Sequence, residues 1–241
     1  MTAKDGTRDV TGRLIELSER LTAVRRRIAA ACESAGRDPG EVSLIAVTKT
    51  FPAADVRLLS RLGVHDVGEN RDAEAAPKAA QCADLQLTWH FIGQLQTNKC
   101  ASVVRYAHVV HSVDRVRLVR ALGDRARKAG RVITCLVQVS LDGDPDRGGA
   151  VAAEIPGLAE AVAAEDGLLL GGVMAMAPPE LPPSKAFAPL PEMAAAVQAV
   201  RPEAGMVSAG MSGDLEDAIR AGATHVRIGT ALLGDRPAFV R

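Results

Sequence analysis

Residues 42–49 read VSLIAVTK, and the stretch that continues it, LIAVTKTF (44–51), is followed directly by Pro52. An apolar, β-branched run of this length bounded by a proline has the character of a buried strand. It ends on a lysine, Lys49, and an ammonium group is costly to bury unless it is paired or has chemistry to do. Strand alternation puts Ile45, Val47 and Lys49 on one face.

Similar runs recur along the chain. They fall at VHDVG (64–68), TWHFIG (88–93), HVVHSV (108–113), ITCLVQVS (133–140), LLLGGVMAM (168–176), MVSAG (206–210) and HVRIGT (225–230). Between them lie helical patterns such as DVRLLSRLG, DRVRLVRALGDRARKAG and GDLEDAIRAG. Strands alternating with helices imply a parallel sheet. Eight such units without a long break predict an α/β fold, a single closed (β/α)8 barrel of the TIM type, rather than an open doubly wound sheet. The first βα turn carries no GxGxxG, which argues against a dinucleotide fold. Residues 1–40 form a helical lead-in, with Leu14, Leu17, Leu21, Val24 and Ile28 at helical spacing and Arg25, Arg26 and Arg27 on a solvated face. The barrel then occupies residues 41–236 of one domain covering 1–241. The Pro-rich APPELPPS (177–184) reads as a loop, not a boundary.

Composition narrows the function classes. The 241 residues carry 29 basic and 29 acidic side chains, 47% are hydrophobic and only 2% aromatic. A balanced charge gives no electrostatic footprint for nucleic acid or an anionic membrane, and so few aromatics argue against base-stacking platforms. No apolar stretch approaches the ~18 residues of a membrane span. Cys32, Cys82, Cys100 and Cys135 are widely spaced without a CxxC, which fits a reduced cytoplasmic setting better than zinc or disulfides. The polar N-terminus does not read as a signal peptide.

Barrel active sites lie at the C-terminal ends of the strands. Polar residues there include Lys49, Glu69, Asn70, Gln94, Gln96, Asn98, Lys99, Ser112 and Ser140, with Met174 and Met176 after strand six. Strand seven runs into GMSG (210–213), and strand eight carries Arg227 and ends in Gly229-Thr230. Glycines and hydroxyls in these last two loops are suited to an oxyanion such as phosphate, and Arg227 adds a fixed charge. Asp214 beside this loop is compatible with an anion only if it points away. A lysine across a barrel mouth from a phosphate cradle is the arrangement a pyridoxal phosphate Schiff base requires. A lysine in that role acts as the free amine, which partial burial favours. DGDPDR (142–147) fails as a calcium loop, because Arg147 stands where glycine is needed and Ala153 where the glutamate is needed. The five histidines are not expected to cluster, and His108 and His111 are expected to face opposite ways. No GxSxG, Walker motif or Ser-His-Asp order occurs.

Taken together, VTKTFP, GENRDAEAAPK, WHFIGQLQTNK, GGVMAMAP, SAGMSGDLEDAIRAGATHVRIGT and LLGDRP resemble the pyridoxal-phosphate homeostasis proteins. The resemblance runs over about residues 40–236. It implies a single barrel similar to the N-terminal domain of alanine racemase, with pyridoxal 5'-phosphate as cofactor. It further implies an internal aldimine on Lys49, phosphate held by Ser212, Gly229 and Thr230, Asn70 beside the ring, and Arg227 near the ring nitrogen or the phosphate. The chain departs from the family pattern at Arg71-Asp72-Ala73, at VSLDGDPDRGG and in a short loop after MAMAPPE.

The implied activity is that of a monomeric, cytoplasmic cofactor carrier or buffer for vitamin B6, without strong catalysis, whose partners would be apo forms of pyridoxal-phosphate enzymes. The alternatives are an amino-acid racemase and a cofactor-free barrel enzyme using Lys49 on a phosphorylated substrate. Racemases of this barrel type take a second base, a tyrosine, from an added β domain. The barrel here consumes the chain, and its one tyrosine, Tyr106, precedes strand four, toward the wrong end.

Overall fold

The computed structural model describes residues 3–144 and 148–235. Its elements run in the order α1 (Ala3–Ser34), β1 (Ser43–Val47), α2 (Ala53–Arg61), β2 (Asp66–Glu69), α3 (Asp72–Gln81), β3 (Thr88–Phe91), α4 (Cys100–Tyr106), β4 (Val109–Val113), α5 (Val116–Lys128), β5 (Ile133–Gln138), α6 (Ile155–Ala163), β6 (Leu168–Met174), α7 (Pro183–Ala186), α8 (Leu190–Val200), β7 (Met206–Ser208), α9 (Leu215–Arg220), β8 (His225–Ile228) and α10 (Thr230–Leu233). Every strand pairs in parallel with the next, and β8 returns to β1 through Ile45 opposite Arg227 and Ala46 opposite Ile228, closing the barrel. All eight predicted strands are present.

The strands are short and pack on two faces. Outward residues such as Val110, Val113, Cys135, Val137, Leu170 and Val173 share a core with α4, α5, α6 and α8. A small apolar cluster of Val109, Leu136 and Met174, with Met206 against it, lies apart from that core and lines the barrel interior. The seam Leu17, Leu21, Val24 and Ile28 of α1 is buried with Leu215 and Ile219 of α9 and Leu232 and Leu233 of α10, so the lead-in belongs to the helical layer around β8. Arg25 and Arg26 are solvated, as the spacing predicts, but Arg27 makes a two-pronged ion pair with Glu216.

Two register shifts interrupt the regular alternation. In β6 the pairing steps from Cys135–Leu170 to Leu136–Gly172, leaving Gly171 as the extra residue of a bulge. In β4 it shifts between Val110 and Val113. Tyr106 ends α4 before β4 and packs edge-on against Trp89, ring centroids 6.5 Å apart, on the outer side of the sheet away from the mouth. Among the described residues no helix is long and apolar enough to cross a membrane. No group of three or more His, Cys, Asp or Glu among them is arranged for a metal ion. The residues Pro145, Asp146 and Arg147 of the DGDPDR segment, and Arg236 and Pro237 of LLGDRP, lie outside the described residues.

Candidate functional site

A pocket of about 500 Å³ opens at the C-terminal ends of the strands. The structure brings Lys49, Asn70, Ser212, Arg227, Gly229 and Thr230 into its lining together. Lys49 follows β1 directly, on the same alternation as Ile45 and Val47, and Val47 also lines the pocket.

The turn at Lys49 is held from behind. Thr48 is fully buried, its hydroxyl donates to Glu69 Oε1 at 2.7 Å, and its carbonyl accepts from Lys78 Nζ at 2.8 Å. Lys78 also forms a buried ion pair with Glu69. Burial pushes the Glu69 carboxyl up, against the pull of Lys78. Thr50 has φ of 70°, unusual for a β-branched residue, and its N–H donates to Glu74 Oε2 at 3.1 Å. Phe51 N–H closes the turn on Thr48 O at 3.0 Å. Glu69, next in sequence to Asn70, therefore faces the helical layer while Asn70 faces the mouth.

Beside Lys49, where β8 closes on β1, lie the loops after β7 and β8. Ser212 Oγ accepts from Ala231 N–H at 3.2 Å, tying the two loops together. The Asp214 carboxylate turns back to accept the Met211 N–H at 2.5 Å and is 9% exposed, so it caps its own loop and does not line the pocket. The register of Ile45 with Arg227 places that arginine one step deeper than Val47, at the pocket floor. Arg227 is 4% exposed and donates to Ser208 O and Ser208 Oγ, both at 2.8 Å, and to Ala175 O at 2.9 Å. Burial lowers its pKa to about 10, with Asp214 pulling the other way. The guanidinium is therefore still charged at neutral pH.

Several sequence expectations need correction. Gln96, Asn98 and Lys99 are exposed beyond the pocket, and only Gln94 of that group lines it. The β4 side contributes Asp114, not Ser112, and β5 contributes Gln138, not Ser140, whose hydroxyl serves the Asp142–Gly143 turn. The bulges explain the first of these, because a shifted register changes which residues face inward. Gln138 was legible as the residue two beyond inward-facing Leu136. Met174 is buried in the barrel, whereas Met176 is 41% exposed on the pocket wall.

The larger correction concerns the histidines. His90 and His111 do cluster: both are buried inside the barrel, with His90 Nδ1 2.9 Å from His111 Nε2. They stand 21 residues apart but occupy inward positions on adjacent strands. His108, as expected, faces elsewhere and accepts the Trp89 N–H outside the barrel.

Residues 20–237 match the alanine racemase N-terminal domain family. A pyridoxal phosphate homeostasis protein of Mycobacterium tuberculosis is 45% identical, over 92% of this chain and 93% of its own. The Escherichia coli K12 protein of the same name is 36% identical, over 92% and 97%. This chain belongs to the pyridoxal phosphate homeostasis protein family. Among solved structures this family member resembles PipY of Synechococcus elongatus, described with pyridoxal phosphate bound. The TM-score is 0.79, at 33% identity, covering 90% of this chain and all of that one. Alanine racemase from Corynebacterium glutamicum shares the fold alone, with a TM-score of 0.65 and 16% identity over 92% of this chain and 63% of that one.

Proposed function

We propose that this protein binds pyridoxal 5'-phosphate covalently through Lys49 and acts in pyridoxal phosphate homeostasis as a carrier or buffer, without strong catalysis of its own. One observation carries the reading: a single pocket is lined together by a lysine, by glycine- and hydroxyl-bearing loops, and by a buried guanidinium at its floor. That donor set fits a phosphorylated aromatic aldehyde. Val47, Ile92, Met176 and Met211 offer apolar surface for a ring, and the hydroxyls of Ser212 and Thr230, with the glycines beside them, offer donors for a phosphate.

When bound, the cofactor supplies an aldehyde and an electron-withdrawing ring. The chain's part would be to present the Lys49 amine as the nucleophile at the pocket. Asn70 would border the ring, Ser212, Gly229 and Thr230 would hold the phosphate, and Arg227 would supply charge from the pocket floor. Support for a carrier over a racemase comes from the lining. Among the described residues it includes no tyrosine, histidine or cysteine that could act as a second base opposite the lysine. Its one carboxylate, Asp114, is engaged by Arg115. The half-exposed Met176 and Met211 at the rim leave a path for exchange with recipient apoenzymes.

The test is an absorption spectrum of protein incubated with pyridoxal phosphate, followed by borohydride reduction and peptide mass mapping. A visible band and a reduced adduct on the Lys49 peptide are expected. Lys49→Ala should lose both while keeping its thermal transition. A colourless protein that takes up no cofactor, or an adduct on another lysine in the variant, overturns the assignment.

A further inference from the structure

Arg227 poses an electrostatic problem. It is buried, and among the described residues no carboxylate lies within ion-pair distance of it. A buried cation without a counter-ion is costly unless hydrogen bonds or a ligand compensate. Its donors go to two carbonyls and to Ser208 Oγ.

Ser208 begins a chain that runs down the barrel interior. His111 Nδ1 lies 3.0 Å from Ser208 Oγ, His90 Nδ1 lies 2.9 Å from His111 Nε2, and Asp66 Oδ1 lies 3.0 Å from His90 Nε2. Ser208 and His111 are fully buried and His90 nearly so, whereas the Asp66 side chain is 35% exposed. Asp66 is the first residue of β2, at the end of the barrel away from the pocket.

The direction of these bonds follows from the ends. Burial raises the Asp66 pKa, but its hydrogen bond with the His90 ring leads the opposing contributions and leaves the carboxyl low, so Asp66 is an acceptor. His90 then carries its proton on Nε2. His111 is held well below the usual histidine range, by burial above all, so it is neutral. With His111 Nε2–H donating to His90 Nδ1, its Nδ1 is left to accept the Ser208 hydroxyl proton, and Ser208 Oγ accepts from Arg227. Every polar atom in the chain is satisfied when all bonds donate toward Asp66. Reversal would need a second buried cation near Arg227 and would leave the Ser208 proton without this acceptor.

We propose that Ser208, His111, His90 and Asp66 are positioning residues for Arg227. They form a polarised relay that carries the influence of a carboxylate at one end of the barrel to the pocket floor. The relay fixes the guanidinium in one orientation and leaves it to be completed by an electron-rich atom of the ligand. This rests on the pocket being the pyridoxal phosphate site.

The experiment has two readouts. In the ligand-free protein, long-range 15N NMR of the imidazoles should show His111 carrying its proton on Nε2 and the His90 Nδ1 accepting it. Asp66→Asn, outside the pocket and still able to accept from His90, should move the His111 ring nitrogens. It should also shift the absorption maximum of the bound cofactor and weaken its affinity roughly three- to tenfold. Ser208→Ala cuts the relay at its upper end, so adding Asp66→Asn to it should have no further effect on affinity. A His111 protonated on Nδ1 overturns the relay, as does an Asp66→Asn protein with wild-type affinity and spectrum. If pyridoxal phosphate does not bind the wild type, the pocket reading fails and the tautomers in the free protein decide the relay.

Discussion

Lys49 can serve a pocket only if the residues on either side of it hold still. Thr48 and Thr50 do this from the outer face of β1. Thr48 is hooked by hydroxyl and carbonyl to the Glu69–Lys78 pair, and Thr50 is kept at a positive φ by its bond to Glu74. A β-branched residue in that conformation costs roughly 1–3 kcal/mol and persists only where its surroundings impose it. The pair itself is sensitive because Glu69 is fully buried. Lys78→Met should strand that carboxylate and destabilise the fold by about 3–5 kcal/mol, while the double variant Glu69→Leu/Lys78→Met should recover most of the loss. Urea denaturation of the three proteins checks this. A single variant with wild-type stability would mean the pair does not hold the Lys49 turn.

At the scale of the element, β6 shows how a strand supplies both core and site. Before the bulge Leu168 and Leu170 face outward to the helices, and after it Val173 and Ala175 do. The extra residue lets Met174 face the barrel, Met176 reach the pocket, and the Ala175 carbonyl accept from Arg227. Gly172 makes this possible. Its φ is 144°, and a Cβ there would lie 1.9 Å from Met206 O. Gly172→Ala should therefore cost at least about 2 kcal/mol and weaken cofactor affinity by displacing the end of β6, measured by thermal melts and cofactor titration. Unchanged affinity in a folded variant would separate the bulge from the site. The same bulges mark the limit of what alternation reveals. Strand positions are legible in runs such as LIAV and CLVQ, because apolar, β-branched residues declare a buried strand. The loops GMSG and RIGT are legible because glycine and hydroxyls together suit an anion. Ser112 was misplaced because a register shift in β4 is silent in sequence. The His90–His111 contact was missed because it depends on which strands are neighbours and on inward parity, not on spacing along the chain.

For the whole molecule, the barrel interior ties stability to pH. His225 stands at the start of β8, its ring bonded to Thr224 Oγ1 at 2.8 Å, and burial lowers its pKa to about 4. Burial likewise lowers His111 and His108. Below pH ~6.5 the unfolded chain protonates these rings while the folded barrel resists. The stability they carry is therefore complete above that pH and is lost as pH falls toward their depressed folded values. For His225 alone the shift corresponds to as much as roughly 3 kcal/mol between pH ~6.5 and ~4. Asp66, whose pKa stays low because His90 outweighs its burial, adds a loss in the same direction at lower pH. Glu69, raised by burial, opposes it, since the folded state then binds a proton more readily than the unfolded chain. The net expectation is a melting temperature that falls steadily from pH 7 to pH 4.5. His225→Gln keeps a polar group near Thr224 but cannot protonate, so its melting temperature should fall less over that interval. Because His225 lies outside the pocket, cofactor affinity at pH 7 should be unchanged. Calorimetric melts of both proteins across the interval decide the point: parallel pH dependences would remove His225 from the account and leave the slope to His111, His108 and the carboxylates.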